Sequence, residues 1–114
     1  MSKKINWGYF RNGWTSCKRA QEVLDAKNIS VENRVIANKE KIDSKAAWEL
    51  LQPSTIIRTG KGKKINFWNH STDEKEAILK DVIGPSGNLR APAWRVGTEF
   101  IVGFNPELYQ EMFG

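Results

Sequence analysis

The residue with the clearest chemical potential in this sequence is Cys17, the only cysteine among 114 residues. It follows the apolar run Ile5–Phe10 and a turn at Gly13, at a point where a helix is expected to begin. A helix N-terminus carries partial positive charge, and the neighbouring Lys18 and Arg19 add basic side chains. Such surroundings stabilise a thiolate and lower a cysteine pKa. The pattern predicts a reactive thiol at a strand-to-helix turn; the alternative is a buried apolar cysteine, which is common.

Two strands and one helix are expected to position this thiol. Ile5 to Phe10 is short and aromatic-rich, and turn residues follow it, as at the end of a strand. Apolar residues at helical spacing predict a helix from Ser16 to Lys27, with Thr15 and Ser16 as capping residue types and Asn28 closing it. Val31 to Ala37 predicts a second strand. A strand, a helix and a strand within about 30 residues form a βαβ unit with parallel strands.

The rest of the chain predicts three further helices and a hairpin. The helices are expected after Asp43, after a capping box of Ser71 and Glu74, and after Asn105-Pro106. Ala91 to Val96 and Glu99 to Val102 predict the two strands of the hairpin. Between the second and third helices, residues 55–68 fit either a small hairpin or an irregular excursion.

The composition indicates one domain, because 114 residues are enough for a single hydrophobic core. No run approaches the roughly 18 apolar residues of a membrane helix, and Met1–Ile5 has no apolar signal region, so we expect a cytoplasmic protein without a membrane partner. One cysteine cannot form an internal disulfide. The net charge of +5 permits nucleic-acid binding without requiring it. The cluster Lys61-Gly62-Lys63-Lys64 is typical of a solvated turn; nucleic-acid binding through it is an alternative, although we expect no nucleic-acid partner.

Several segments together resemble the arsenate-reductase/Spx-like (ArsC-like) branch of the thioredoxin superfamily, over nearly the whole chain. The matching segments are Tyr9-Phe10, the turn Arg11 to Cys17 with Lys18-Arg19-Ala20, the insert through Trp48 and Ile78, Leu89-Arg90-Ala91-Pro92, and Val102-Gly103-Phe104-Asn105. The ending glycine-aromatic-Asn-Pro-Glu is similar to that of glutaredoxin-like members. The resemblance implies an α/β, thioredoxin-like (glutaredoxin-type) fold with a mixed four-stranded sheet. Residues 1–114 would form a single domain, with a helical insert at about 43–84.

The resemblance also implies roles for individual residues. Members with a C-x-x-C motif attack a disulfide with the first cysteine and resolve the mixed intermediate with the second. Cys17 matches the second cysteine, and Trp14 stands at the position of the first. The residues expected to contact the substrate are Thr15, Ser16, Arg58, Arg90, Ala91 and Pro92, with Pro92 in a cis peptide bond beside the redox turn. The implied partners are protein or glutathione thiols, with glutathione or thioredoxin as the electron donor and no other cofactor or metal.

Trp14 departs from the family pattern because tryptophan cannot attack a disulfide or arsenate. Arsenate reductases have an arginine directly before the proline, whereas this chain has Ala91 there and Arg90 one residue earlier. Strand alternation sends these two side chains to opposite faces, so arsenate reduction is not expected.

Two hypotheses account for Trp14 and lead to two functions. In the first, position 14 is a replaced or recoded selenocysteine or cysteine, because UGA codes selenocysteine in some genes and UGG codes tryptophan. In the second, Trp14 is a genuine tryptophan that shields Cys17. The expected function is that of a thiol-disulfide oxidoreductase with a degenerate or selenocysteine-replaced motif. The alternative is a redox-inactive, Spx-like binding module that contacts a protein partner such as RNA polymerase.

Overall fold

The chain forms a mixed α/β structure, seen in a computed structural model that describes residues 5–11, 13–37, 39–70 and 73–113. Its elements are β1 (Ile5–Phe10), α1 (Thr15–Ala26), β2 (Val31–Ile36), α2 (Ser44–Leu51), β3 (Ile56–Lys61), β4 (Lys64–Asn69), α3 (Lys75–Val82), β5 (Ala93–Val96), β6 (Glu99–Phe104) and α4 (Pro106–Phe113). No helix in these ranges is long and apolar enough to span a bilayer.

The strands form one six-stranded mixed sheet in the order β2-β1-β5-β6-β3-β4. β1 pairs with β2 in parallel, which confirms the predicted βαβ unit, and it pairs with β5 in antiparallel fashion. β5 and β6 form the predicted hairpin. The expectation of four strands is wrong, because the insert contributes a second hairpin. β3 pairs in parallel with β6 along its whole length, and β4 pairs antiparallel with β3.

Two apolar clusters cover the two faces of the sheet, as strand alternation requires. Along β6, Phe100 and Val102 enter one cluster while Ile101 enters the other. The first cluster lies under α2 and α3, which contribute Ala47, Leu51, Ile78 and Val82. The second lies under α1 and α4, which contribute Ala20, Leu24, Leu108, Tyr109 and Met112. The turn from β1 into α1 therefore lies at the end of an interior strand of a sheet that has a helix pair packed on each face.

Side-chain caps fix two helix starts as the sequence predicts. The Asp43 carboxylate accepts a hydrogen bond from the Ala46 N–H at 2.9 Å, and the Asn105 side chain accepts one from the Leu108 N–H at 3.0 Å. Each bond satisfies an N–H group that has no partner within its own helix. The predicted cap Ser71 lies outside the described residues, and α3 begins after Glu74.

The start of α1 differs from the prediction. Its N-cap is Trp14, which makes no side-chain cap hydrogen bond, and Thr15 and Ser16 already lie inside the helix. The other end agrees, because Lys27 is the C-cap and Asn28 takes the left-handed conformation (φ 56°) common after helices.

Candidate functional site

Trp14 and Cys17 both lie where β1 leads into α1, but they differ sharply in exposure. Trp14 is 43% exposed, whereas Cys17 is 5% exposed. Cys17 lies on the buried face of α1 with Ala20 and Leu24. Within a helix, residues three positions apart lie on the same face. Trp14, three positions before Cys17, still has an extended backbone (φ −88°, ψ 132°), so its side chain does not follow Cys17 onto the buried face of α1. The backbone therefore separates an accessible position from a buried thiol.

Burial controls the chemistry of the Cys17 thiol. Cys17 belongs to the apolar cluster that also contains Tyr9 and Ala91. Desolvation raises its pKa, while the Arg11 N–H, which donates to Sγ at 3.4 Å, and the Arg11 charge oppose that rise without cancelling it. The predicted lowering of this pKa is therefore wrong, and the thiol has the surroundings of the buried-cysteine alternative.

Three depressions meet at the Trp14 ring, and we call this surface the Trp14 junction. The Arg11 guanidinium stacks on the ring, 4.4 Å from its centroid. The largest depression, about 1010 Å³, runs along α1 and has Cys17 on its wall. The second, about 570 Å³, separates the start of α1 from the start of α4. The third, about 230 Å³, lies between Trp14 and the loop that precedes β5.

Four of the predicted substrate-contacting residues lie at or next to this junction. Thr15 lines the two larger depressions, Ser16 lines the second and Ala91 lines the third. Pro92 is buried directly after Ala91, and the peptide bond between them is cis. Because β5 starts at the next residue and pairs with β1, the Ala91-Pro92 segment reaches the strand that carries the turn.

Arg58 and Arg90 line none of these three depressions. Arg90 donates to the backbone carbonyls of Asp81 (2.9 Å) and Gly60 (2.8 Å), so it ties the end of α3 to β3. Arg58 forms an ion pair with Glu99 and lies over the Phe67 ring, 5.6 Å from its centroid. Both arginines therefore make contacts within the fold rather than at the Trp14 junction.

Lys41 and Phe104 also belong to this surface, although the sequence does not predict it. Lys41 lines the third depression from the segment after β2, and Phe104 lines the second from the end of β6 beneath the Arg19 guanidinium. Neither has a local signal, because each reaches the junction through strand pairing. Within the described ranges, no group of three metal-ligating side chains lies close enough to share an ion.

Comparison of the chain with protein-family models, with curated proteins and with solved structures finds no match.

Proposed function

We propose that this chain is an ArsC-like protein with a thioredoxin-like fold, built for thiol-disulfide exchange at position 14 with Cys17 as the resolving thiol. The observation that carries this proposal is the contrast in exposure, 43% at Trp14 against 5% at Cys17. An attacking group must reach its substrate, whereas a resolving thiol needs only to reach the mixed disulfide formed three residues away. The order β2-β1-β5-β6, with α1 and α4 packed in one cluster, supports the fold assignment.

The chain as printed has a substrate surface without an attacking thiol. Tryptophan supplies no nucleophile, and Cys17 alone supports only a slow mixed disulfide because it is buried with a raised pKa. Protein disulfides and glutathione disulfide are the proposed substrates, with glutathione or thioredoxin as the electron donor. Arg11 and Lys41 at the junction provide positive charge for the carboxylates of such substrates.

The test is to restore a nucleophile with Trp14→Cys. The introduced thiolate attacks a disulfide and releases one thiol; Cys17 then attacks the mixed disulfide, releases the second thiol and leaves an internal disulfide. Two glutathione molecules reduce that disulfide and become glutathione disulfide. We expect the Trp14→Cys variant to catalyse glutathione-dependent reduction of hydroxyethyl disulfide. A coupled assay of NADPH consumption measures this activity.

Two matched variants control this experiment. Trp14→Ser removes the ring without adding a thiol and should stay inactive. After reaction with hydroxyethyl disulfide in the absence of glutathione, Trp14→Cys combined with Cys17→Ser should retain the mixed disulfide, detected by mass spectrometry, because no second thiol is present to resolve it. A folded Trp14→Cys variant without turnover would contradict the proposal.

A UGA codon at position 14 of the native gene would support recoding, whereas an unambiguous UGG would rule it out.

A binding module is the second candidate, favoured by the pairing of an exposed tryptophan with a stacked arginine. Trp14 and Arg11 are of the types that dominate binding energy at protein interfaces, and the ring stands where three depressions meet. A protein partner such as RNA polymerase fits this class. In a pull-down, Trp14→Ala should lose the partner while Cys17→Ser keeps it; equal retention by both variants would count against this candidate.

A further inference from the structure

A second surface lies along the free edge of β4, and it adjoins the Trp14 junction only at the β3–β4 turn, where Gly62 lines the second depression. β4 is last in the sheet order and pairs only with β3. We call the outward side of Lys64–Asn69 the β4 edge. β2 is the edge strand on the other side of the sheet, and it carries Glu32 and Arg34 in its middle. Charged side chains on an edge strand hinder its pairing with another chain. From Ile65 to Asn69 the β4 edge has no charged side chain.

The strand register shows which backbone groups face outward. The β3–β4 hairpin turns over two residues, so Lys61 and Lys64 form the hydrogen-bonded pair next to the turn. Bonded and non-bonded pairs then alternate along the strand. The backbone N–H and C=O groups of Asn66 and Trp68 therefore point toward β3, and those of Ile65, Phe67 and Asn69 point outward.

Asp73 supports this register and closes one end of the β4 edge. The outward N–H of Asn69 donates to the Asp73 carboxylate at 2.6 Å, and the Asn69 carbonyl accepts from the Asp73 N–H at 2.9 Å. Within the described part of the chain, the outward N–H and C=O groups of Ile65 and Phe67 have no strand beside them. Four polar backbone groups are thus aligned for one more short strand.

The side chains around this open stretch define the chemistry of its partner. Phe67 is 56% exposed and shares a sheet face with the half-buried Ile65, which gives an apolar strip. The exposed lysines 61, 63 and 64 stand at the hairpin end, whereas Asp73 stands at the other. An added strand would therefore carry apolar side chains against Phe67 and acidic ones near the lysines.

We propose that the β4 edge binds an extended acidic peptide segment of a partner protein as a seventh strand. Its backbone bonds to Ile65 and Phe67, its apolar residues cover Phe67, and its carboxylates lie by Lys63 and Lys64. A second copy of this chain fits less well, because each copy carries a net charge of +5.

The probe is a short fluorescein-labelled peptide of alternating valine and glutamate, with a valine-lysine peptide as its control. Anisotropy should rise with the acidic peptide alone, and the rise should weaken with added salt. Hydrogen exchange followed by NMR gives the position: peptide binding should slow the amides of Ile65 and Phe67. Those of Asn66 and Trp68, already bonded to β3, should change little. Slowing on β2 instead, or equal affinity for both peptides, would overturn the proposal.

Two pairs of variants test separately the outward backbone N–H of residue 67 and the charges of Lys63 and Lys64. Phe67→Pro and Phe67→Thr both remove the ring, but only proline also removes the outward N–H, which an edge strand tolerates. Phe67→Pro should bind at least about fivefold more weakly than Phe67→Thr. The double change Lys63→Glu with Lys64→Glu should weaken binding about tenfold at low salt, whereas Lys39→Glu, next to the opposite edge, should leave it unchanged. Equal binding within either pair would contradict the assigned contacts.

N-methylated peptides test the same geometry without altering the protein. Methylation of alternate peptide amides removes donors from one side of the added strand only. One of the two methylation patterns should abolish binding and the other should not. Loss of binding with both patterns, or with neither, would overturn strand addition. Sedimentation that shows a dimer of this chain with Ile65 and Phe67 already protected would assign the edge to a second copy instead.

Discussion

The thiol of Cys17 shows that burial can outweigh a basic sequence neighbourhood. Lys18 and Arg19 follow it in the sequence, but both side chains are exposed, while Cys17 itself is almost fully covered. Its raised pKa follows from the loss of water around Sγ, which disfavours the thiolate. The position of a cysteine in the first turn of a helix therefore does not by itself determine its reactivity.

Cys17 should be alkylated slowly by iodoacetamide at neutral pH. Because the thiolate is the reacting form and its pKa is raised, the rate should keep increasing as the pH passes the ordinary cysteine value of about 8.5. Mass spectrometry across this range measures the rate, and the urea-unfolded chain gives the ordinary profile as a control. A plateau reached below the ordinary value would show a stabilised thiolate and contradict this expectation.

The parallel pairing of β3 with β6 depends on a close approach between two glycines. A Cβ on Gly103 would lie 2.1 Å from the Gly60 carbonyl oxygen and 2.8 Å from the Arg90 guanidinium, and Gly103 has a φ of +88°. Gly60 and Gly103 are register partners, so a Cβ added to Gly103 would push the two strands apart.

Gly103→Ala should lower the free energy of unfolding by about 3 kcal/mol or more, through steric overlap added to backbone strain. Gly97→Ala is the matched control, because its φ is +62° and no atom lies within 4 Å of the added Cβ. It should cost only the backbone strain, about 1–2 kcal/mol. Urea titration of both variants measures the difference, and equal losses would show that the contact between Gly60 and Gly103 is looser than described.

Asp81 joins α3 to the β3–β4 hairpin through three side-chain hydrogen bonds. Its carboxylate accepts from the Thr59 hydroxyl, from Trp68 Nε1 at 2.7 Å and from Asn66 Nδ2 at 3.2 Å. Burial raises the Asp81 pKa, but these bonds and the charge of Arg90 outweigh it, so the net pKa lies below the ordinary value of 3.8.

Asp81→Asn should therefore weaken the acid dependence of stability. The stabilisation from the ionised carboxylate is complete above the ordinary carboxyl pKa and is lost as the pH falls through the lower folded-state value. The variant should lose about 1–2 kcal/mol at pH 7 and show a shallower decline on acidification. Urea titrations over this range measure both, with Glu49→Gln on the exposed side of α2 as the control. If the free energy of unfolding of the variant fell with decreasing pH as steeply as that of the unaltered chain, the role of Asp81 would be contradicted.

Elements with strong local signals could be predicted from the sequence, and those defined by distant pairing could not. Ile5–Phe10 and the capped starts of α2 and α4 carry alternation or cap residues that act within a few positions. For residues 55–68 the sequence fits either a hairpin or an irregular segment, because the parallel partner of β3, β6, lies about 40 residues further along the chain. Of the residues that the resemblance implies for substrate contact, Thr15, Ser16 and Ala91 lie at the Trp14 junction, whereas Arg90 donates to two backbone carbonyls elsewhere.

The whole molecule is organised around one sheet, which positions both the Trp14 junction and the β4 edge. The β1–α1 turn and the segment before β5 meet on adjacent strands and form the Trp14 junction. The insert extends the sheet beyond β6 and leaves the β4 edge at its far side. No residue of β4 lines the Trp14 junction, although Gly62 in the β3–β4 turn lines its second depression, so changes at Ile65 or Phe67 and changes at Trp14 alter separate contacts.

Amide hydrogen exchange across the free protein should follow the sheet order. β1, β5, β6 and β3 have a strand on each side, so their amides should exchange most slowly, while those of β2 and β4 should exchange faster. Within β4 the register requires alternation: Asn66 and Trp68 donate toward β3 and should be protected, whereas Ile65 and Phe67 face outward and should exchange quickly. The measurement is residue-resolved exchange by NMR without any peptide. Uniform protection along β4 would mean that another segment already occupies the edge, whereas an inverted pattern, with Ile65 and Phe67 protected, would mean that the register is shifted by one residue. The side chains would distinguish these cases, because a one-residue shift would also move Trp68 away from Asp81.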